Sequence, residues 1–397
     1  METPHQLLIF FLKAEKMKIV LNTILAKEKG MGGFNVALNF FNRTLQDDKN
    51  EWFYFVSQVF DKEAQGKEKG IDASHYYVFH PQPDIKHYYK DRNTIRRIEK
   101  EINPDIIYSI LAPSYHFFKS VEVMRCANAW TVVGGVNRYA WRITPLKYRI
   151  RYSLKAHLTH MLMRRTKYFI TQSIIAKNCI LRTTHTSPDN VCVVSNVLAD
   201  KFQRISVEKR LHTGFNMVYA SSPAIHKDYL LLPQVASILI KKYRLDGFKI
   251  HVTIPENTNN VFLKLTKQYN VEDYFINHGF MNHSDLIEVY LQSDLGLFPS
   301  LLETFSGTLL EYMYFKLPIV ASDLDFNREV AGDAALYFHP HDAEDMAEKI
   351  FDLYSHRELR ETILDNANEK LAVYSNNSDK FSETLEFMRY VHQKEGC

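Results

Sequence analysis

Residues 298–322 read FPSLLETFSGTLLEYMYFKLPIVAS. This stretch predicts a strand, a polar turn, a helix and a second strand in quick succession. An apolar strand that ends at Phe298 leads into a turn that carries Glu303. A helix is predicted to begin near Ser306 and to end near Lys316, and a second apolar run follows it. A strand followed by a helix and another strand is typical of a parallel sheet covered by helices.

The start of this predicted helix is a candidate anion site. The backbone N–H groups of Ser306, Gly307 and Thr308 would have no acceptor inside the helix. The helix dipole also favours negative charge at this end. Glu303 lies before the helix, and Glu311 lies in its second turn. The element could therefore hold a diphosphate, with a carboxylate on each side to accept sugar hydroxyls.

Composition indicates an ordinary globular protein. The chain has 397 residues, of which 46% are hydrophobic and 24% charged, and this predicts two or more domains. The four cysteines have no CxxC spacing, which indicates neither a zinc site nor a disulfide framework and favours a reducing cytoplasm. No apolar run approaches the roughly 20 residues of a membrane-spanning helix. Residues 1–16 are expected to be an N-terminal extension, because Met17 begins a better strand.

Predicted strands alternate with predicted helices in both halves of the chain. This pattern predicts an α/β protein with two Rossmann-like domains, residues 17–198 and 199–376, each with a parallel sheet. Open sheets of this kind bind ligands beyond the carboxyl ends of their strands, so a ligand is expected in the cleft between the domains. The predicted strands are 18–21, 52–57, 75–80, 105–110, 131–136, 167–173, 191–196, 216–221, 249–254, 275–279, 295–298 and 319–321.

The pair Glu303 and Glu311, separated by seven residues, resembles the signature of retaining glycosyltransferase family 4, also called glycosyl transferases group 1. The neighbouring stretches PSLLETF, LLEYM, LPIVASD and REVAGDAALYFHP are similar too. The resemblance implies the GT-B fold, in which two Rossmann-like domains face each other across a cleft and the last helix, here within 377–397, crosses back to the first domain. It further implies a metal-independent hexosyltransferase-type enzyme in the cytoplasm. Such an enzyme transfers a sugar from a nucleotide-diphosphate sugar to a glycan or lipid-linked acceptor, as in capsule or lipopolysaccharide synthesis, and needs no cofactor.

The resemblance also assigns roles to residues. Glu303 would accept hydroxyls of the donor sugar, and Glu311 would accept those of the ribose. Lys227 follows the first strand of the second half, where a cation could neutralise the departing diphosphate. Phe280 could stack on the base, although a phenyl ring at this position is more often core. The other donor contacts would be Ser306, Gly307, Thr308, Leu309, Gly32, Gly33 and Gly279.

The sequence departs from the family pattern at three places. The family usually has an arginine five residues before the lysine, and this chain has Ser222. The family usually has a glycine after the lysine, and this chain has Asp228. The histidine that many members place after the strand matching residues 131–136 is also missing, and neither Asn137 nor Arg138 is assigned its role.

These departures keep other functions open. One alternative is a non-catalytic GT-B protein that binds a nucleotide or a glycan without turnover. A GT-B epimerase is a third possibility, although the missing histidine counts against it. A nicotinamide dehydrogenase is disfavoured, because the glycine loop at residues 30–33 is not a G-x-G-x-x-G fingerprint.

Residues 138–167 contain nine lysines and arginines and no acidic residue. Aromatic residues are interleaved with these cations. A basic helix with aromatic residues can lie on an anionic bilayer. It could also bind a polyprenyl-diphosphate acceptor, or it could be a solvated basic face. Nucleic acid is not expected as a partner, because the sequence contains no recognisable DNA- or RNA-binding module.

Overall fold

The structure is a computed structural model that describes residues 16–27, 32–81, 85–133, 138–198, 202, 205–258, 260–281, 283–374 and 377–396. These residues form a seven-stranded sheet and a six-stranded sheet. Residues 1–15 of the predicted N-terminal extension lie outside the described residues. Within the described part of the chain, no helix combines the length and the apolar character needed to cross a membrane.

The first sheet is parallel throughout, and most residues of its strands are buried. Such strands appear in a sequence as continuous apolar runs. In chain order, the strands are β1 (Lys18–Thr23), β2 (Glu51–Ser57), β3 (Tyr76–Phe79), β4 (Ile106–Ser109), β5 (Glu122–Arg125), β6 (Tyr168–Thr171) and β7 (Val191–Val193). In space, they lie in the order β3-β2-β1-β4-β5-β6-β7, so the order reverses between β1 and β4.

Seven helices accompany this sheet in the described residues. Local caps begin several of them. The Ser57 and Ser173 hydroxyls accept N–H groups at the starts of the second and seventh helices, which satisfies donors that have no helical acceptor. The helices are α1 (Gly32–Thr44), α2 (Gln58–Ala64), α3 (Ile85–Ile102), α4 (Ala129–Val132), α5 (Arg138–Ile143), α6 (Leu146–Met163) and α7 (Ile174–Thr184).

The strand predicted over residues 131–136 is wrong in its described part, residues 131–133. The Asn128 side chain accepts the N–H of Thr131 at 3.1 Å and starts the short helix α4 instead. The β-branched run at 131–133 favours a strand by propensity, but the cap and the packing of α4 on α6 override it. The actual neighbour of β4 is β5, which the sequence analysis missed because Glu122 and Arg125 interrupt its apolar pattern. Residues 134–137, including Asn137, lie outside the described residues.

The second sheet is also parallel throughout. Its strands are β8 (Phe215–Tyr219), β9 (Phe248–Val252), β10 (Phe275–Asn277), β11 (Leu295–Phe298), β12 (Ile319–Ser322) and β13 (Leu336–Phe338). They lie in the order β10-β9-β8-β11-β12-β13, so the order reverses between β8 and β11. This is the Rossmann arrangement. Two Rossmann-like domains with parallel sheets are therefore present, as the sequence predicts.

The helix of the opening stretch begins and ends near the predicted residues. It runs from Gly307 to Tyr314, because Ser306 is the extended N-cap residue and Lys316 has a left-handed φ of 53°. The helices of the second half and of the end of the chain are α8 (Leu232–Lys241), α9 (Asn260–Tyr269), α10 (His283–Leu291), α11 (Gly307–Tyr314), α12 (Asp325–Ala331), α13 (Ala343–Ser355), α14 (Arg357–Ala372) and α15 (Asn377–Lys394).

The last helix packs against the first sheet. Buried residues of α15 join the core beneath β1 and β2, and the Tyr168 hydroxyl donates to Glu395 at 2.6 Å. The domain boundary predicted at residue 198 stays a prediction. The α15 residues in this core are Leu385, Phe387, Met388 and Val391.

Gly296 allows α11 to lie close against β11. A Cβ atom at Gly296 would be 2.4 Å from the Tyr312 ring. The ring cannot easily retreat, because its hydroxyl accepts the Ala220 N–H at 3.0 Å and lies 3.1 Å from the Val218 carbonyl oxygen. The close packing of β11, which precedes Glu303, on α11, which carries Glu311, therefore depends on a glycine at this position.

Gly296→Ala is expected to lower the free energy of unfolding by about 1–3 kcal/mol, the usual cost of overpacking a core. Thermal or urea unfolding followed by circular dichroism measures this loss. Gly307→Ala is the matched control, because a Cβ there would meet nothing within 4 Å. Equal stability of the Gly296→Ala variant and the wild type would contradict the close packing.

Candidate active site

The loops that follow β8 and β11 leave the second sheet side by side at the point where its strand order reverses. Ligands of open α/β sheets bind at such a switch point. The Leu301 N–H donates to the His226 carbonyl oxygen at 2.7 Å and ties the two loops together. This contact brings Lys227, on one loop, next to Glu303, on the other.

Lys227 and Glu303 form an ion pair between Nζ and Oε1. The two side chains are only 16% and 12% exposed, so water screens their attraction less than it screens a surface pair. The Ser300 hydroxyl donates to the same Oε1 at 3.0 Å. The ring of Phe298 lies 6.0 Å from the ammonium. A desolvated cation and a desolvated carboxylate therefore share one position at the switch point.

Two buried side chains, Ser322 and Asn327, support the loop that carries Glu303. The Ser322 hydroxyl, at the end of β12, donates to the Ser300 carbonyl oxygen. Asn327 in turn donates through Nδ2 to Ser322 Oγ at 2.9 Å, and both side chains are fully buried. These contacts fix the residue that orients the glutamate.

The first turn of α11 follows the same loop. Ser306 is buried and its side chain makes no capping bond. Open space lies around Gly307, since a Cβ there would have no neighbour within 4 Å. Thr308 Oγ1 is 3.4 Å from the Ala220 carbonyl oxygen, which follows β8. The backbone donors of this turn are consequently next to the loop of Lys227, where an anion could reach both.

Glu311 lies one turn further along α11. Its Oε2 accepts the Tyr290 hydroxyl at 2.6 Å. Burial raises the pKa of Tyr290 well above its usual value, with the charge of Glu311 as a further cause, so the phenol keeps its proton and acts as a donor. Tyr290 thus orients this carboxylate, and nothing in the sequence spacing indicated that contact.

The Glu303 loop also faces the first domain. Thr304 donates to the Ala127 carbonyl oxygen at 3.0 Å, just beyond the carboxyl end of β5. Leu301 and Leu302 are fully buried and pack in a cluster with first-domain residues such as Met124. The ion pair therefore lies in the interface between the two domains.

Trp130 and His226 form a second contact across the interface. The indole Nε1–H of Trp130 donates to His226 Nδ1 at 3.2 Å. Burial, and then the neighbouring Lys227, lower the pKa of His226 to about 3. A neutral imidazole can accept this hydrogen bond, whereas an imidazolium cannot. Tyr152 of α6 stacks on Trp130 with ring centroids 4.4 Å apart and holds the indole from behind.

Two further interface contacts were not found from the sequence. With its amide oriented to satisfy both neighbours, Gln172 donates to Thr304 Oγ1 at 3.0 Å and accepts from the buried Arg125 at 2.9 Å. The Glu329 carboxylate of α12 accepts the Ile174 N–H at 2.5 Å and so caps α7 of the other domain. These residues lie far apart in the chain and share no spacing, so only the fold could show that they meet.

Asp228 replaces the glycine that the family pattern has after the lysine, and its backbone explains that preference. Its φ is 51°, in the left-handed region that glycine adopts without strain and that aspartate tolerates better than most residues. Its buried carboxylate lies 2.9 Å from His341 Nδ1. This pair lines an interdomain cavity of about 650 Å³, which Tyr139 and Arg142 of α5 line from the other side.

The remaining predicted donor residues lie in both domains, away from the loops of Lys227 and Glu303 in the chain. Gly32 and Gly33 begin α1, and a Cβ on Gly33 would be 3.1 Å from Leu111. Gly279 has a φ of 67° and follows β10, at the far edge of the second sheet. Phe280 is 79% exposed, so the expectation that its ring is core is wrong. The first two residues of the loop at 30–33 lie outside the described residues.

The missing family arginine has no direct replacement at its own position. The described contacts of Ser222 are made by its carbonyl oxygen, which accepts from the Ala224 N–H at 2.9 Å and from the Tyr219 hydroxyl at 3.4 Å. The site thus brings together Lys227, Glu303 and the first turn of α11, with Glu311 on the same helix. Gly279 follows the edge strand β10, whereas Gly32 and Gly33 follow β1 at the point where the order of the first sheet reverses. The roles predicted for all these residues stay predictions.

Comparison with known proteins points to the same region. Residues 209–370, which include Lys227 and both glutamates, match the model of the family Glycosyl transferases group 1. A search of curated proteins finds no match. A crystal structure of a glycosyltransferase from Rickettsia africae is similar over 95% of this chain and 98% of its own, with 15% identity and a TM-score of 0.67.

Two other solved structures are similar over nearly the whole chain. Sucrose-phosphate synthase from Thermosynechococcus elongatus has 12% identity and a TM-score of 0.68, with 96% of this chain and 100% of its own covered. Anabaena HepE, solved in complex with UDP, has 13% identity and a TM-score of 0.63, with the same coverage. At these identities the likeness establishes the fold, so the two facing Rossmann-like domains are a GT-B fold.

The state of His226 predicts how stability depends on pH. Because its folded pKa of about 3 lies below the ordinary 6.5, the unfolded chain binds a proton between these values that the folded chain does not. The contribution of His226 to the free energy of unfolding is complete above pH 6.5. It falls by about 1.4 kcal/mol for each pH unit below that value, until the pH reaches the folded pKa of about 3.

His226→Gln should therefore make the protein less sensitive to acid, since the amide oxygen can still accept from Trp130 and does not titrate. The midpoint of thermal unfolding, measured at about pH 7.5 and pH 5, should fall less in the variant than in the wild type. Equal falls in both proteins would show that His226 is protonated in the folded state.

Proposed function

We propose that this protein is a retaining glycosyltransferase that moves a sugar from a nucleotide-diphosphate sugar to a glycan or lipid-linked acceptor. The observation that carries the proposal is the buried pair of Lys227 and Glu303 beside the first turn of α11, at the switch point of the second sheet. The family match over residues 209–370 supports glycosyl transfer as the chemistry.

The leaving group of such a donor needs charge stabilisation more than it needs a proton. As the glycosidic bond to the diphosphate breaks, negative charge grows on the phosphate oxygens. The Lys227 ammonium and the backbone N–H groups at 306–309 would stabilise that charge, because preorganised donors in a water-poor site act strongly on developing charge. Metal independence is part of the proposal.

The ion pair suggests how the donor would enter. Glu303 neutralises the buried charge of Lys227. A diphosphate can replace the carboxylate as the counterion of the ammonium. The carboxylate is then released to accept hydroxyls of the donor sugar, and Glu311, oriented by Tyr290, would accept those of the ribose. The acceptor hydroxyl would form the new bond to the sugar on the face from which the diphosphate leaves, and its proton would pass to the departing diphosphate. The first domain would position this hydroxyl.

Several similar proteins suggest the donor class. Anabaena HepE has been solved with UDP and with UDP-glucose. Another similar structure is the lipopolysaccharide outer core galactosyltransferase WaaB. We therefore propose a UDP-sugar donor and a role in surface polysaccharide synthesis such as lipopolysaccharide or capsule, on the cytoplasmic face of the membrane.

A second candidate is a non-catalytic GT-B protein that binds a nucleotide or glycan. Ser222, in place of the usual arginine, favours it, because the proposed diphosphate site then has one cation fewer. Lys227 is also already neutralised by Glu303. One measurement on the purified protein with a UDP-sugar distinguishes the two candidates. A transferase releases UDP over time, whereas a non-catalytic protein only binds the donor.

Nucleotide binding is expected to raise the melting temperature in a panel of UDP, GDP and their sugars, since a ligand stabilises the state that binds it. UDP-sugars should give the larger shift, and Lys227→Gln should reduce it. A shift that is the same in the Lys227→Gln variant and the wild type would place the diphosphate elsewhere. No shift with any member of the panel would contradict both candidates that bind a nucleotide.

Glu303→Ala and Glu311→Ala are each expected to lower the rate of UDP release or sugar transfer by about a hundredfold or more, typical for one positioned polar group. Because alanine at 303 leaves a buried lysine unpaired, Glu303→Gln is tested beside it, with circular dichroism to check folding. Glu369→Ala, an exposed glutamate on α14, is the control and should keep full activity. Near-normal rates in both glutamate variants would exclude the assignment.

A further inference from the structure

Helix α6 exposes a row of large apolar side chains along its whole length. We call Leu146, Ile150, Leu154, Leu158 and Met161 the apolar ridge. Their exposed fractions run from 47% to 70%. The first four repeat every four residues and therefore lie on one face of the helix. Single exposed apolar residues are common, but a continuous row over an 18-residue helix is a candidate interaction surface.

A row of cations runs beside the apolar ridge. Lys147, Arg151 and Lys155 are exposed and also repeat every four residues. We call these three residues the basic row. The whole segment 138–167 contains no acidic side chain to balance it. The surface thus combines two features, apolar side chains that gain from leaving water and fixed positive charge next to them.

The opposite face of α6 is already used for packing within the protein. Thr159 and Met163 are buried, and Tyr152 stacks on Trp130. His160 Nε2 lies 2.7 Å from the Thr131 carbonyl oxygen. The helix is therefore fixed by its inner face, and the apolar ridge is directed away from the core.

We propose that the apolar ridge and the basic row dock on an anionic bilayer surface. The apolar side chains would enter the boundary between headgroups and acyl chains, and the cations would contact anionic headgroups. Charge complementarity favours this occupant. A second copy of the chain meeting the same face across a two-fold axis would bring two basic rows together. A nucleic acid would attract the cations but leave the apolar ridge in water.

Helix α6 connects the proposed docking face to the candidate site through Trp130. Trp130, which the inner face of α6 supports, binds His226, the neighbour of Lys227. Docking would therefore hold the cleft close to the lipid surface. If the proposed transferase function holds, the acceptor is an amphiphile whose hydroxyl lies at the headgroup level. The docking itself does not depend on that function and can be measured without a donor.

The test is flotation of the full chain with vesicles of phosphatidylcholine containing 30% phosphatidylglycerol, compared with pure phosphatidylcholine. Two variants remove the two features: Ile150→Gln with Leu154→Gln, and Lys147→Gln with Arg151→Gln and Lys155→Gln. Matched controls change exposed residues of the second domain: Val261→Gln with Leu263→Gln, and Lys241→Gln with Lys264→Gln and Lys267→Gln. The two charge variants have the same net charge.

The wild type should float with the anionic vesicles, and 1 M salt should weaken this binding. The basic-row variant should lose about 100-fold in partitioning at low salt, from roughly fivefold per charge. The ridge variant should lose at least tenfold, while both controls bind like the wild type. Leu154→Trp fluorescence should be quenched by brominated lipids, and that of Leu263→Trp should not.

Three results would overturn the proposal. The first is absence of flotation with the anionic vesicles. The second is an equal loss of binding in the ridge variant and its second-domain control. The third is light scattering that shows a dimer of the wild type which the ridge variant dissociates, because the apolar ridge would then be covered by a second copy.

Discussion

A lysine and a glutamate that are both largely removed from water meet where the strand order of the second sheet reverses. Removing one charge from water is costly unless an opposite charge is close, so neither side chain could occupy this position alone. The pair fixes the loops after β8 and β11 against each other, together with the hydrogen bond from Leu301 to the His226 carbonyl oxygen. The start of α11 follows directly, so the same contact sets where the helix presents its free N–H groups.

The interface between the domains is built around that pair and uses several kinds of contact. Apolar packing of Leu301 and Leu302 excludes water. The hydrogen bonds from Thr304 to Ala127 and from Trp130 to His226 fix the orientation of one domain against the other. The hydrogen bonds of Thr304 and Trp130 pair a neutral donor with a neutral acceptor. The Glu329 carboxylate instead accepts backbone N–H groups. Burying polar groups in this way costs little only when each finds its partner. The arrangement of the two domains is therefore specific in geometry, because a shifted interface would leave these groups unpaired.

The sequence predicted the two-domain fold well because buried parallel strands are continuous apolar runs; β11 was located to the residue. It failed where local propensity and tertiary packing disagree. The β-branched run after Asn128 became a helix, and β5 was missed because charged residues interrupt a short strand. At the site, the type of residue could be predicted but the partners could not. Glu303 was found from its spacing, whereas Tyr290 and His226 contribute through contacts that only folding creates. The exposure of Phe280 likewise depends on its surroundings and not on its type.

The last helix affects the order in which the two halves of the chain can fold during synthesis. Four of its side chains complete the core beneath β1 and β2, although they are made more than three hundred residues later. Domains usually fold as units in the order of synthesis. Here the first half to leave the ribosome cannot close its core until the chain has been made as far as Val391, whereas the second sheet is already complete at β13. The half made later can thus reach its final form first, and the earlier half must wait, partly open, for the helix that closes it.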